Sequence, residues 1–297
     1  MTHWGLVVAC HGRHVWVEDA QGERRICHPR GKKNQAVVGD HVQWTASEDG
    51  GSIESVDTRK NLFYRQDEIR TKSFAANIDQ VLVLVAAEPD FSQSQLARAL
   101  IAARHEGIRT LIGLNKQDLT EAFERAWHKL LAYQRLGCKV LPLSLKNDAF
   151  DLTDLRSELD QRVTLVLGPS GAGKSTLINR LVPNANAATN IISQALQSGK
   201  HTTTSTTWYW MDATKKTALM DSPGFQAFGL HHIAASSLAS CMPDINAHAD
   251  HCKFHNCSHV HEPDCGVRDA LASQAIDAGR YKIYTELFAE LSAPVNY

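Results

Sequence analysis

Apolar positions recur in two rhythms along this chain, and the change of rhythm divides it. Between residue 4 and about residue 60 come short β-rich runs, "GLVVAC", "HVWVED", "ERRICH", "DHVQWTA" and "GSIESV", separated by turn residues at close spacing. Runs spaced so closely predict a small barrel. After "RKNLFYR" the apolar runs alternate with helical patterns. "QVLVLVAA" (80–87), "RTLIGLN", "KVLPLSL", "VTLVLG" (163–168) and "TALMDSPG" (217–224) read as strands, while "SQSQLARALIAARHEG" and "EAFERAWHKLLAYQRLG" read as helices that end at glycine. That order predicts parallel α/β units. From 232 onward a Cys/His cluster precedes one long helical run, "VRDALASQAIDAGRYKIYTELFAELS". The pattern therefore predicts an α/β chain divided into 1–65, 66–231 and 232–297.

Composition narrows the class. The 297 residues suffice for two or three cores, and 43% hydrophobic with 21% charged residues excludes wholesale disorder. The first residues, "MTHWGLVVACHGRHVW", lack an apolar core of signal-peptide length, and no run of about 18 apolar residues occurs. A cytoplasmic protein with no membrane contact is expected. The net charge of −1 means that any nucleic-acid partner must be met by local basic patches. One such patch is "RRICHPRGKK" (24–33), which predicts a basic loop at one end of the barrel through Arg24, Arg25, Arg30, Lys32 and Lys33. It reads equally as wet surface or as a nucleic-acid contact.

The strongest chemical signal is "GPSGAGKST", comprising Gly168, Pro169, Ser170, Gly171, Ala172, Gly173, Lys174, Ser175 and Thr176. Placed between a strand and a helix, this is a phosphate loop. Glycines let successive amides turn toward a β-phosphate, Lys174 neutralises β/γ oxygens, and the Ser175 hydroxyl completes a Mg²⁺ shell. "NKQD" follows the strand "RTLIGL", where doubly wound sheets bind ligands. Asp118 can accept from N1–H and the exocyclic amine of guanine, Asn115 can brace the base edge and neighbouring loop, and the stem of Lys116 can cover the ring. These types select GTP over ATP. Ser144 and Leu145, in "LPLSLK", are candidates to finish the guanine pocket. "DSPG" ends an apolar strand, so Asp221 could hold the Mg²⁺ shell and the Gly224 amide could sense a γ-phosphate. Before it comes "GKHTTTSTT" (199–207), a hydroxyl-rich stretch suited to a mobile loop.

The guanine tetrad precedes the phosphate loop, the reverse of the usual order. If all these segments line one sheet edge, the nucleotide domain is circularly permuted, which surface termini tolerate. Its new carboxyl end then falls just after Asp221 and Gly224. Beyond it, Cys252, Cys257, His259 and Cys265 form a three-thiolate, one-imidazole set of the kind that closes around structural Zn²⁺. His251, His255, His261 and Cys241 are near enough to substitute for one of them.

These motifs, with "AANIDQVLVLVAAEPDFS", "GKHTTT", "DSPGF" and the closing "GRYKIY", cover nearly the whole chain, and the sequence resembles the ribosome small-subunit-dependent GTPase A family of bacteria. The resemblance implies a circularly permuted P-loop GTPase domain flanked by an N-terminal OB-type β-barrel and a C-terminal zinc-binding α-helical domain. It implies GTP hydrolysis to GDP late in the maturation of the 30S subunit, on 16S rRNA, stimulated by the subunit and coupled to release. A monomer is expected. It also makes His201 the favoured catalytic residue, because Phe225 occupies the slot where many GTPases carry a water-orienting glutamine, and it makes Thr203 the favoured Mg²⁺ ligand, with Thr202 and Thr204 close behind. Ala97 departs from the family, which often has an acidic residue there. The alternative to an assembly GTPase is a GTP-gated RNA-binding scaffold in which hydrolysis is incidental.

Overall fold

The structure is a computed structural model that describes residues 2–11, 14–30, 36–47, 50–67, 71–182, 185, 206–222 and 228–293. Five strands, β1 (Thr2–His11), β2 (His14–Glu18), β3 (Arg24–Pro29), β4 (His41–Ser47) and β5 (Gly50–Val56), pair in the order β1-β2-β3-β5-β4. A further β4–β1 pairing closes them into a barrel. Alternate positions point inward, so Val7, Val15, Val17, Cys27, Val42, Trp44 and Ile53 fill a small core of their own.

A hairpin of β6 (Leu62–Gln66) and β7 (Thr71–Ala76) leads into the parallel sheet. That sheet contains β8 (Gln80–Ala86), β9 (Arg109–Asn115), β10 (Lys139–Pro142), β11 (Val163–Leu167) and β13 (Ala218–Asp221), in the order β10-β9-β8-β11-β13. The central strand β8 is buried throughout, and its alternation assigns each face. Val81, Val83 and Val85 pack with α1 (Gln93–His105) and α2 (Thr120–Arg135). Leu82 and Leu84 pack with α3 (Thr153–Leu159) and α4 (Lys174–Leu181) on the other face. Helices on both faces and parallel strands place the carboxyl ends of β9, β10, β11 and β13 along one edge.

The barrel and the parallel sheet are hydrogen-bonded into one eleven-stranded surface. Strand β12 (Thr207–Trp210) runs antiparallel to β13, and Thr207 also pairs with Ala9 of β1. Glu18, 5% exposed, reinforces the junction. It accepts from Trp210 Nε1 at 2.9 Å, Lys215 Nζ at 2.6 Å and Arg24 Nε at 2.8 Å.

The C-terminal segment is helical. Short 3₁₀ turns precede α5 (Pro243–Ala249), α6 (Gly266–Ala272) and α7 (Ala278–Ser292). Arg280 and Asp244 form a buried bidentate pair at 2.7 and 2.8 Å, and the Arg280 guanidinium lies 4.8 Å over the Tyr133 ring of α2. This contact seats the C-terminal helices on the parallel sheet's helical layer.

Three expectations need correction. The run "VRDALASQAIDAGRYKIYTELFAELS" is two helices, because Gln274 adopts a left-handed φ of 60° and Asp277 caps α7 by accepting from Arg280 N at 3.0 Å. The predicted basic loop is narrower than the run "RRICHPRGKK": Arg24 and Arg25 lie in β3, the strand that "ERRICH" predicted. There, Arg24 pairs with Glu18, Arg25 with Asp19 and Glu23 at 3.1 Å, and Arg30 just beyond the strand pairs with Glu54 at 2.9 Å. Carboxylates thus already neutralise these three arginines, while Lys32 and Lys33 lie outside the described residues. Finally, the hairpin β6–β7 and the strand β12 have no counterpart in the predicted elements.

Burial alone would raise the Glu18 pKa, but hydrogen bonds from Lys215, Arg24 and Trp210 outweigh it and hold the carboxyl below the ordinary glutamate range. Its stabilisation is therefore complete at neutral pH and is lost as pH falls through and below that range. Glu18→Gln should lower unfolding free energy by about 1–3 kcal/mol at pH 7. Urea melts across pH should show the parent-variant gap shrinking toward acid.

Candidate nucleotide site and metal cluster

Strand β11 delivers the chain into 168–173, and α4 begins directly afterwards. Gly173 caps this helix with φ 104°, a left-handed value that only glycine adopts without strain, and a Cβ there would stand 2.4 Å from Asn115 Nδ2. At Gly168 a Cβ would lie 2.2 Å from the carbonyl oxygen of Leu84. Both glycines therefore let the loop lie close against its neighbours. Lys174 Nζ donates to the carbonyls of Gly168 at 2.7 Å and Pro169 at 3.3 Å. Burial lowers the Lys174 pKa, against the pull of Asp221.

Asp221 ends β13 beside this lysine. It is 8% exposed, its Oδ1 has no hydrogen-bond partner among the described residues, and burial pushes its pKa up to about 6 against the attraction of Lys174. An orphaned, buried carboxylate oxygen at the carboxyl end of a strand fits a divalent cation that would supply the missing partner. Ser222 beside it donates to the carbonyl of Val166 at 2.8 Å and faces away from this role.

The "NKQD" segment arrives from β9. Asn115 is buried, its Nδ2 donates to the carbonyl of Ala172 at 2.9 Å, and its Oδ1 accepts from Leu145 N at 3.0 Å. One side chain thus joins the tetrad, the phosphate loop and the 144–150 loop. Lys116 has a left-handed φ of 69°, and its ammonium donates to the carbonyl of Glu88. Ser144 Oγ donates to Asp118 Oδ1 at 3.0 Å, which orients the carboxylate.

These segments enclose one cleft of about 450 Å³ lined by residues of all three loops, among them Lys116, Asp118, Leu145, Lys174, Ser175 and Thr176. Asn115, Ser170, Gly171 and Gly173 complete its wall, while Ala172 is buried beneath it. Lys146 also lines the cleft. It was not among the predicted residues, since nothing but its position after Leu145 marked it. His201, Thr202, Thr203, Thr204, Gly224 and Phe225 lie outside the described residues.

Near the C-terminal end, Cys252, Cys257, His259 and Cys265 bring their ligand atoms within 4.8 Å of one another. Cys252 Sγ stands 3.4 Å from His259 Nδ1 and 3.7 Å from Cys265 Sγ, and Cys265 Sγ is 3.7 Å from His259 Nδ1. Donors about 2.0–2.3 Å from one tetrahedral ion would stand roughly 3.4–3.8 Å apart, so the set fits Zn²⁺ with no open position. Tyr281 and Tyr284 fix the ligand loop by donating to the carbonyls of His259 and Ser258 at 2.8 and 2.9 Å. His251, His255 and His261 are not in the cluster, and Cys241 instead lies 4.0 Å from His105 Nδ1.

Fold and site together define a circularly permuted P-loop GTPase. The family model described as RsgA GTPase matches residues 56–231, and the chain belongs to that family. It is 65% identical to the small ribosomal subunit biogenesis GTPase RsgA of Variovorax paradoxus, over 98% of this chain and 93% of that one. With the protein of the same name from Bordetella pertussis it shares 47% identity, over 99% and 98%. Among solved structures it is similar to YjeQ from Thermotoga maritima, at TM-score 0.76 and 28% identity over 99% of this chain and 100% of that one. It is also similar to YloQ, a circularly permuted GTPase, at TM-score 0.71 and 25% identity over 100% and 98%.

Cys257→Ala should abolish stoichiometric zinc retention, measured by metal analysis of the purified protein. Because closure by metal supplies folding energy, the same change should make the C-terminal helices susceptible to limited proteolysis while the barrel stays resistant.

Proposed function

We infer that this protein hydrolyses GTP in the biogenesis of the small ribosomal subunit, as its relatives are named. The observation that carries the reading is the single cleft in which Asp118 and Lys174 face the same space. In this reading Asp118, steadied by Ser144, accepts from the two donors on the guanine edge. Adenine lacks that pair and would leave the carboxylate unsatisfied, a penalty of about 1–3 kcal/mol. The Lys116 stem covers the ring. At the other end the amides of 169–175 and the amino end of α4 receive the β-phosphate. Lys174 exchanges the carbonyls of Gly168 and Pro169 for phosphate oxygens.

Ser175, Thr203 and Asp221 would hold Mg²⁺, which when bound neutralises the phosphate oxygens. The orphaned oxygen of Asp221 supports that assignment. The Gly224 amide reads the γ-phosphate. Phe225 cannot orient water, so His201 is the proposed catalytic residue, aligning the attacking water. Zn²⁺ held by Cys252, Cys257, His259 and Cys265 closes the fold of the C-terminal segment. The nucleotide unit (66–231) is flanked by the barrel (1–65) and the zinc unit (232–297), which contact the 30S subunit and its 16S rRNA. The protein acts as a cytoplasmic monomer late in subunit maturation, with hydrolysis stimulated by the subunit and coupled to release.

Purified 30S subunits should raise GTP turnover well above the basal rate, with the stimulation falling steeply as salt rises because phosphate contacts are screened. A flat response would contradict the reading. His201→Ala should abolish stimulated turnover and leave subunit docking intact; loss of docking alone would favour a GTP-gated RNA-binding scaffold. Asp118→Asn should move preference from GTP to xanthosine triphosphate by at least about tenfold in competition binding, without gain of ATP affinity.

A further inference from the structure

Arg180 occupies the last turn of α4, the helix whose first residue is Lys174. Its guanidinium reaches away from the helix to the 144–150 loop. Nη1 donates to the carbonyls of Ser144 at 3.5 Å and Asn147 at 3.1 Å, and Nη2 to those of Asp148 at 3.1 Å and Phe150 at 3.0 Å. One side chain thereby gathers four carbonyls of a single loop. That loop contains neither helix nor strand, and its internal bonds are turns such as Asn147 N to Ser144 O at 3.2 Å and Ala149 N to Asn147 Oδ1 at 3.1 Å. The same loop also meets the tetrad, through Ser144 Oγ to Asp118 and Leu145 N to Asn115.

We propose that Arg180 is a positioning residue for guanine selection, fixing the loop that orients Asp118 at a set distance from the helix that grips the phosphates. The inference rests on the nucleotide reading of the cleft. The loop is held by two sets of bonds: Asn115 and Asp118 hold it at Leu145 and the Ser144 hydroxyl, and the Arg180 fork holds its carbonyls. Helix α4 is a short rigid rod with Lys174 at one end and Arg180 at the other, so the fork transfers the position of the phosphate grip to the base pocket. Without it Ser144 loses its anchored carbonyl, and the Asp118 carboxylate loses the orientation that lets both its oxygens meet the two donors of guanine. Lysine cannot replace the fork, because an ammonium is a single point and cannot span carbonyls arranged around a planar group. This separates the proposal from the ordinary role of a cation in a last helical turn, which lysine fills equally well.

The test compares GTP with inosine triphosphate, which keeps N1–H and lacks the exocyclic amine. Displacement of a fluorescent guanine nucleotide gives both affinities for the parent, Arg180→Lys and Arg180→Gln, with circular dichroism and thermal melting as the check on folding. The parent should prefer GTP, and both variants should lose about five- to tenfold of that preference while retaining the parental fold. An unchanged preference in folded Arg180→Lys overturns the proposal. So does a parental preference in Arg180→Lys beside a reduced one in Arg180→Gln, since charge would then suffice. Failure of both variants to fold assigns Arg180 a purely structural part and likewise overturns it. A parent that binds the two nucleotides equally overturns the nucleotide reading of the cleft together with this inference.

Discussion

The Asn115 carboxamide is the joint on which the nucleotide site turns. Its nitrogen donates to the phosphate loop at Ala172 and its oxygen accepts from Leu145, so three segments from distant parts of the chain are set at fixed spacing by one buried group. A buried amide is costly to leave unpaired, about 1–3 kcal/mol for each unsatisfied group, which makes this arrangement close to all-or-none. The reversed order of the motifs is harmless because a sheet edge records where strands end in space and carries no memory of chain order. Asn115, Pro142, Leu167 and Asp221 close parallel strands along the same side, and the loops leaving the first three line one cleft.

Permutation does change what the cleft is tied to. The strand β12, which receives the chain from the Thr-rich stretch, is paired on one side to β13 and on the other to the barrel strand β1. Beyond the "DSPG" segment, Phe228 packs against both Phe63 and Phe74 of the hairpin, and its carbonyl accepts from Arg98 of α1 at 3.2 Å. Arg98 in turn pairs with Glu290 of α7. The chain entering β12 from the Thr-rich stretch and the chain beyond the "DSPG" segment are therefore anchored in different neighbours, the barrel on one side and the C-terminal helices on the other.

Much of this was legible in the sequence because the physics was local. The close spacing of short β-rich runs in 5–56 marked five barrel strands, and "QVLVLVAA", followed by a helical run ending at glycine, read as a strand. The phosphate loop, the tetrad and the Cys/His set are short spacings with rigid chemical requirements, and the structure brings the described members of each together. What was not legible depended on partners far away. The strand "TWYW" is held by β1 and β13, and the hairpin around Phe63 by the ring of Phe228, so neither could be seen from its own residues. The arginines of "RRICHPRGKK" looked free because Glu18, Asp19 and Glu54, which neutralise them, are brought beside them only by strand pairing and the turn after β2. The break in the last helical run was present as a cap at Asp277 but was masked by the good helix formers on either side.

The most direct measurement of the central claim is a crystal structure of the protein with GDP bound. The account predicts one nucleotide spanning the cleft, with N1 and the exocyclic amine of guanine on the two oxygens of Asp118 and the β-phosphate on the amides between 169 and 175 beside Lys174. A nucleotide whose phosphates occupy that loop while its base lies away from Asp118, or whose base is bound there with the phosphates elsewhere, would contradict it.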